Sequence, residues 1–133
     1  MKQSMVALLL LTAIGCSKHG GGSKFAGTWS GSYNSTIIAT NPPAFDTGTL
    51  HIAIDASNNA TGTLQSLRGG ASTIMKGTLN PSSGALSIAH YGEGDDGIMV
   101  FLLGCNGILS VDAGSGTLTF PWATTSVWRV TKN

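Results

Sequence analysis

Charge is what this chain has least of. Only 10% of its residues are Asp, Glu, Lys or Arg, and the formal net charge is +1. A near-neutral chain carries no electrostatic footprint for nucleic acid or for anionic membrane surfaces. Proline is limited to four residues and cysteine to two. With 41% apolar residues and so little proline, extended disorder is excluded beyond the amino-terminal segment. Two cysteines cannot form the dense disulfide framework of a small secreted scaffold. Beyond the amino terminus no run is long and apolar enough to cross a bilayer as a helix. Phosphate loops, dinucleotide glycine fingerprints and a Gly-x-Ser-x-Gly elbow are all missing.

What is present begins with Lys2 and a short apolar stretch from Met5 to Ile14. At about ten residues it is too short for a stable membrane span and reads as an export signal covering residues 1–15. Once Lys2 leaves with that signal, basic and acidic side chains balance at six each. Cys16 follows Ala13-Ile14-Gly15 directly. Small residues before a cysteine at the close of an apolar run resemble the lipobox of bacterial lipoproteins. The resemblance implies that Cys16 is lipidated, and that a membrane anchor holds the chain in the cell envelope, at the outer membrane. Ala13 stands where a branched residue is usual. Ala13-x-Gly15 also suits ordinary signal cleavage, and Cys16 could instead pair with Cys105. Residues 16–24, with Gly20-Gly21-Gly22, read as a flexible tether spanning roughly 15 Å. His19 lies within it.

From Phe25 to Asn133 the pattern is strands and turns. Trp29, Gly31, Tyr33, Ser35 and Ile37 fall on one face of the first strand, and Thr28, Ser30, Ser32, Asn34 and Thr36 on the other. A second strand, Thr49 to Asp55, alternates Leu50, Ile52 and Ile54 with polar residues, and Ser57-Asn58-Asn59 turns it into Thr61–Gln65. Strands from about Ser72 to Leu79 and from Ala85 to Tyr91 flank Asn80-Pro81-Ser82-Ser83-Gly84. Ile98 to Leu103 is apolar on both faces, which calls for cover on both sides or for a second molecule. Asn106-Gly107 reads either as a hairpin turn or as a bulge within one long strand, so the count is eight or nine. Asp112 to Gly116 reads as a turn before Thr117–Phe120, and Ser126 to Thr131 closes the chain. Short strands at this spacing predict an all-β fold: a single antiparallel up-and-down β-barrel of about eight strands.

Phe25-x-Gly27-x-Trp29 in the first strand and Arg129 in the last resemble the lipocalin and calycin pattern. The phrase Gly27-Thr28-Trp29-Ser30-Gly31-Ser32-Tyr33 is also similar to small lipocalin-like lipoproteins of Bacteroidetes type. The likeness implies a structural pair in which Trp29 plugs the closed end of the barrel beneath the Arg129 guanidinium. It further implies a small apolar or amphipathic ligand, with Tyr33, Ile37 and His90 as cavity-lining candidates. Small barrels of this kind also act through their surfaces, as accessory or enzyme-inhibitor lipoproteins with a protein partner. A cavity lined by Tyr33 and His90 would favour the first use. A filled interior with an exposed patch around Met99, Phe101 and Leu103 would favour the second.

Catalytic and metal chemistry find little support. Glu93, Asp95 and Asp96 fall in a Gly-rich loop without the ligand spacing of an EF-hand. His90 shares the inner face of Leu86 and Ile88, whereas His51 lies opposite the Leu50 face, so the two do not converge on a metal or an acid–base pair. The expected protein is not an enzyme, carries no metal or other cofactor, and does not bind nucleic acid. Cys105, in an apolar run, reads as a small buried hydrophobe.

Overall fold

A computed structural model describes residues 23–37, 44–69, 72–93, 97, 99–120 and 123–133. Cys16, most of the tether, Asp95 and Asp96 lie outside the described residues. Eight strands follow one another: β1 (Gly27–Ile37), β2 (Ala44–Ile54), β3 (Asn59–Ser66), β4 (Thr73–Leu79), β5 (Ala85–Glu93), β6 (Met99–Leu109), β7 (Ala113–Thr119) and β8 (Ala123–Lys132). Each pairs antiparallel with the next, and β8 returns to β1, closing an up-and-down barrel. Closure leaves no outer edge strand to template aggregation.

Alternation along the strands decides the two faces. Trp29, Tyr33 and Ser35 of β1 are buried, as are Leu50, Ile52 and Ile54 of β2, Met75 and Leu79 of β4, and Leu86 and Ile88 of β5. Outward positions carry Thr28, Ser30, Ser32, Thr49, Thr61 and Thr63. On β1 to β3 the outward face is thus mostly hydroxyl-bearing, unlike the apolar outer band of a lipid-embedded barrel.

One end of the barrel is closed. The β2–β3 turn is an Asx turn in which the Asp55 carboxylate accepts the Ser57 and Asn59 amides, each at 2.9 Å, and Asn58 takes a left-handed conformation. The expected hairpin at 80–84 forms, with the Asn80 amide bonded to the Ala85 carbonyl at 2.8 Å. At the same end the Asn133 amide reaches the Thr28 carbonyl and the Lys132 amide reaches the Asp112 carbonyl. Both chain ends of the barrel are thereby tied into its floor.

Two features of the sequence resolve differently from a plain reading. Asn106-Gly107 is no turn: β6 runs through it unbroken, pairing Leu86 with Gly107 on one side and Gly107 with Gly116 on the other. The strand count is therefore eight. Gly114 and Gly116, expected in a turn, lie within β7. Their role is room. A β-carbon on Gly107 would come 2.5 Å from Cζ2 of Trp128, so the indole fills space that β6 and β7 leave empty. The Trp128 Nε1–H donates to the carbonyls of Asn106 at 3.2 Å and Thr117 at 3.1 Å. A glycine beneath an aromatic ring and a glycine at a turn look alike in one dimension.

Cys105 is a free cysteine with no exposed surface, and burial pushes its thiol up to about 12. A thiol so shielded holds its proton at neutral pH and is a poor nucleophile. Native protein with Cys16 replaced by Ala is expected to resist iodoacetamide and to take one label on unfolding in urea. Rapid labelling of the native form would contradict the burial.

Candidate functional site

The pair expected between Trp29 and Arg129 is not made. Trp29 is fully buried, with Nε1–H donating to the Phe25 carbonyl at 3.1 Å. Arg129 sits between the buried Trp128 and Val130, so its side chain stands on the outer face, in register with Ser32 and Ser115. The cation beside the indole is Lys132, in register with Trp29 and 5.7 Å from the ring centroid. The physical reason is strand parity together with register. Lys132 is the last residue of β8, reaches the closed end, and also donates to the Lys24 carbonyl at 3.1 Å.

Tyr33 and His90 do not share a cavity. The Tyr33 ring lies inside the barrel against Gly48, its register partner on β2. His90 stands where the β4–β5 ladder ends, beyond the Lys76–Ala89 pair. Its Nδ1 lies 3.0 Å from the Ile74 carbonyl, which only accepts, so Nδ1 carries the proton. The ring thus borders an open depression with Ile74, Lys76, Ala89 and Tyr91, and the expectation that it lines the interior beside Tyr33 is corrected. The side chain of Ile37 lies outside the described residues. His51 faces outward as expected and meets Ser30 Oγ at 3.0 Å. Among the described residues no group of three His, Cys, Asp or Glu side chains could hold a metal ion.

What the tertiary structure does gather around Tyr33 is a polar cluster. Its hydroxyl donates to Asp46 Oδ2 at 2.8 Å, and Ser66 Oγ donates to Asp46 Oδ1 at 2.6 Å. All three side chains point inward from neighbouring strands, at the end opposite Trp29. Burial and the Asp46 carboxylate push the Tyr33 phenol up to about 12, so it remains a donor throughout the neutral range. Ser35 and Ser126, also inward, complete the group. Ser35 is in register with Asp46 on one side and with Ser126 on the other. It is only 2% exposed, and among the described residues its hydroxyl has no hydrogen-bond partner. A buried orphan hydroxyl costs roughly 1–3 kcal/mol, so its presence asks for a reason.

Below this layer the interior is side chain against side chain, including Trp29, Trp128, Leu50, Ile52, Met75, Ile88 and Leu109. The interior is therefore a packed apolar floor beneath a polar layer. Asp46 was missed by sequence reading because Phe45-Asp46-Thr47 looks like loop; its inward direction depends on β2 beginning at Ala44.

The outer wall differs on β4, β5 and β6, where Ile74, Tyr91, Met99, Val100 and Leu102 are exposed. The expected patch of Met99, Phe101 and Leu103 is shifted. A bulge between His90 and Tyr91 leaves Leu102 outward and turns Leu103 into the core at 4% exposure. The side chain of Phe101 lies outside the described ones. No protein-family model matches the chain, and no curated protein matches it in sequence.

Proposed function

We propose that this is an exported, lipocalin-like barrel, anchored to the cell envelope through lipid on Cys16, that takes a small amphipathic ligand at its mouth. The observation that carries this reading is the inward polar layer of Tyr33, Asp46, Ser66, Ser35 and Ser126 above an apolar floor. A ligand pocket pairs an apolar bed with a few convergent polar groups, and that is the composition here. Placement of the tether supports it too. Lys24 and Phe25 lie at the closed end, so an anchor upstream of them attaches to the barrel at the end away from the polar layer.

The test is nuclear magnetic resonance on the full chain titrated with small one-ring amphiphiles. Amide shifts are expected at Ser35, Asp46, Ser66 and Ser126, with the floor residues Trp29 and Leu109 unmoved. An absence of shifts at the mouth would sink the reading. In parallel, Cys16→Ala should release the protein from membranes.

A second reading, an accessory or inhibitor barrel acting on a protein partner, draws on the exposed apolar side chains of β4 to β6. Its signature is a discrete partner adduct from a photo-crosslinker at Leu102 in intact cells, and none from one at Thr63.

A further inference from the structure

The polar layer at the mouth has a chemical bias that its shape alone does not express. Its one carboxyl group is Asp46, and the raised Tyr33 phenol beside it serves as a hydrogen-bond donor. Both hydrogen bonds that Asp46 accepts come from neutral hydroxyls, and among the described residues no cation neutralises it. A half-buried carboxylate left without a counter-charge favours a cationic visitor. The orphan Ser35 hydroxyl sits directly beside it across the β1–β2 pair, and Ser126 sits directly beside Ser35 across the β1–β8 pair.

Spacing then selects the cation. Side chains opposite one another on neighbouring antiparallel strands stand about 5 Å apart. Two N–H donors on one tetrahedral nitrogen, each at about 2.8 Å from its acceptor, place those acceptors about 4.6 Å from one another, the spacing of a register pair such as Asp46 and Ser35. We propose that Asp46 and Ser35 form an acceptor pair for a primary ammonium group, with Ser126 beside Ser35 on its other flank. This deepens the ligand reading above and rests on it. An alcohol offers a single donor to this pair of acceptors, and a carboxylate is repelled by Asp46. A divalent metal would find one carboxylate where hard-cation sites gather several.

The experiment compares benzylammonium, benzyl alcohol and benzoate on the full chain, following the Ser35, Asp46 and Ser126 amides. Benzylammonium is expected to bind about tenfold or more tightly than the alcohol, and benzoate weakest, as a charge-assisted hydrogen bond requires. Asp46→Asn should abolish the preference. Ser35→Ala should weaken benzylammonium severalfold without lowering the melting temperature, because it removes a hydroxyl that has no partner among the described residues. A fall in melting temperature for Ser35→Ala would overturn the role given to that hydroxyl. Equal binding of the three probes would overturn the ammonium preference while leaving mouth binding intact, and binding of none would sink both. Competition by potassium or calcium chloride at the same residues, with no gain from the organic ammonium, would reassign the site to an inorganic cation and overturn the proposal. A last arm sets Nα-acetyl-lysine methylamide against benzylammonium. Tighter binding of the former identifies a protein lysine as the natural source, and of the latter a small amine; either supports the site.

Discussion

Replacing Gly31 with Ala is expected to open the barrel. A β-carbon on Gly31 overlaps the Arg129 carbonyl oxygen and falls 2.7 Å from both the Arg129 carbonyl carbon and the Val130 Cα. Every obstacle is backbone of β8, so no rotamer change relieves it. Gly31 and Val130 are register partners in the ladder that joins the last strand to the first, and a shift there loosens closure itself. Overpacking in a filled interior costs about 1–3 kcal/mol and sometimes more, and a backbone collision belongs at the upper end. Small domains hold about 5–15 kcal/mol in total. At about 4–8 °C per kcal/mol for a domain near this size, the melting temperature should fall by roughly 10–20 °C. Ser32→Ala, on the outer face of the same strand, should move stability by no more than about 0.5 kcal/mol. Thermal unfolding followed by circular dichroism checks both, and an unchanged Gly31→Ala midpoint would mean that β1 and β8 do not approach as described.

Trp29 carries the second large effect. With 0% of its surface exposed, it is one of two indoles buried in the packed interior, and its N–H donates to the Phe25 carbonyl. Trp29→Ala should cost about 3–5 kcal/mol, the sum of lost transfer energy and the cavity left behind. The floor offers a finer comparison. Lys132→Ala should cost about 0.5–1 kcal/mol, the value of an exposed cation–π contact, whereas Arg129→Ala should lie within about 0.5 kcal/mol of the parent. Urea denaturation of the three variants measures the order. A larger loss for Arg129 than for Lys132 would restore the arginine to the floor and contradict the observed register.

Why a sequence reader picks Arg129 and the structure picks Lys132 is instructive. Both are cations near the end of the last strand, three residues apart, and a period of two puts them on opposite faces. Alternation around the buried Trp128 and Val130 already places Arg129 outside. The resemblance to lipocalins carried an arginine into the role without asking which way it points. Lys132 then reaches the indole because it terminates β8 at the closed end, where the strand ladder no longer confines its long side chain.

The strands, their faces and their barrel-forming rhythm were legible in one dimension. So were the turns at Ser57–Asn59 and Asn80–Gly84, the outward His51 and the buried Cys105. These depend on pleat alternation, turn chemistry and hydropathy, which act over a few residues. The candidate site was legible only in Tyr33. Asp46 and Ser66 are separated by 20 residues, and Ser35 and Ser126 sit at opposite ends of the domain. Nothing local marks them as neighbours.

What the amino-acid order determined by itself is therefore the inner and outer faces: apolar residues every second position within, hydroxyls without. What the tertiary structure alone decided is which inward side chains meet. It laid Trp128 over Gly107 and Gly116, turned Leu103 in and Leu102 out by a bulge, and set the Ser35 hydroxyl between Asp46 and Ser126. Direction is a property of the pleat and travels with each residue. Adjacency is a property of register, and in a closed barrel no pair can slip without all eight strands moving together.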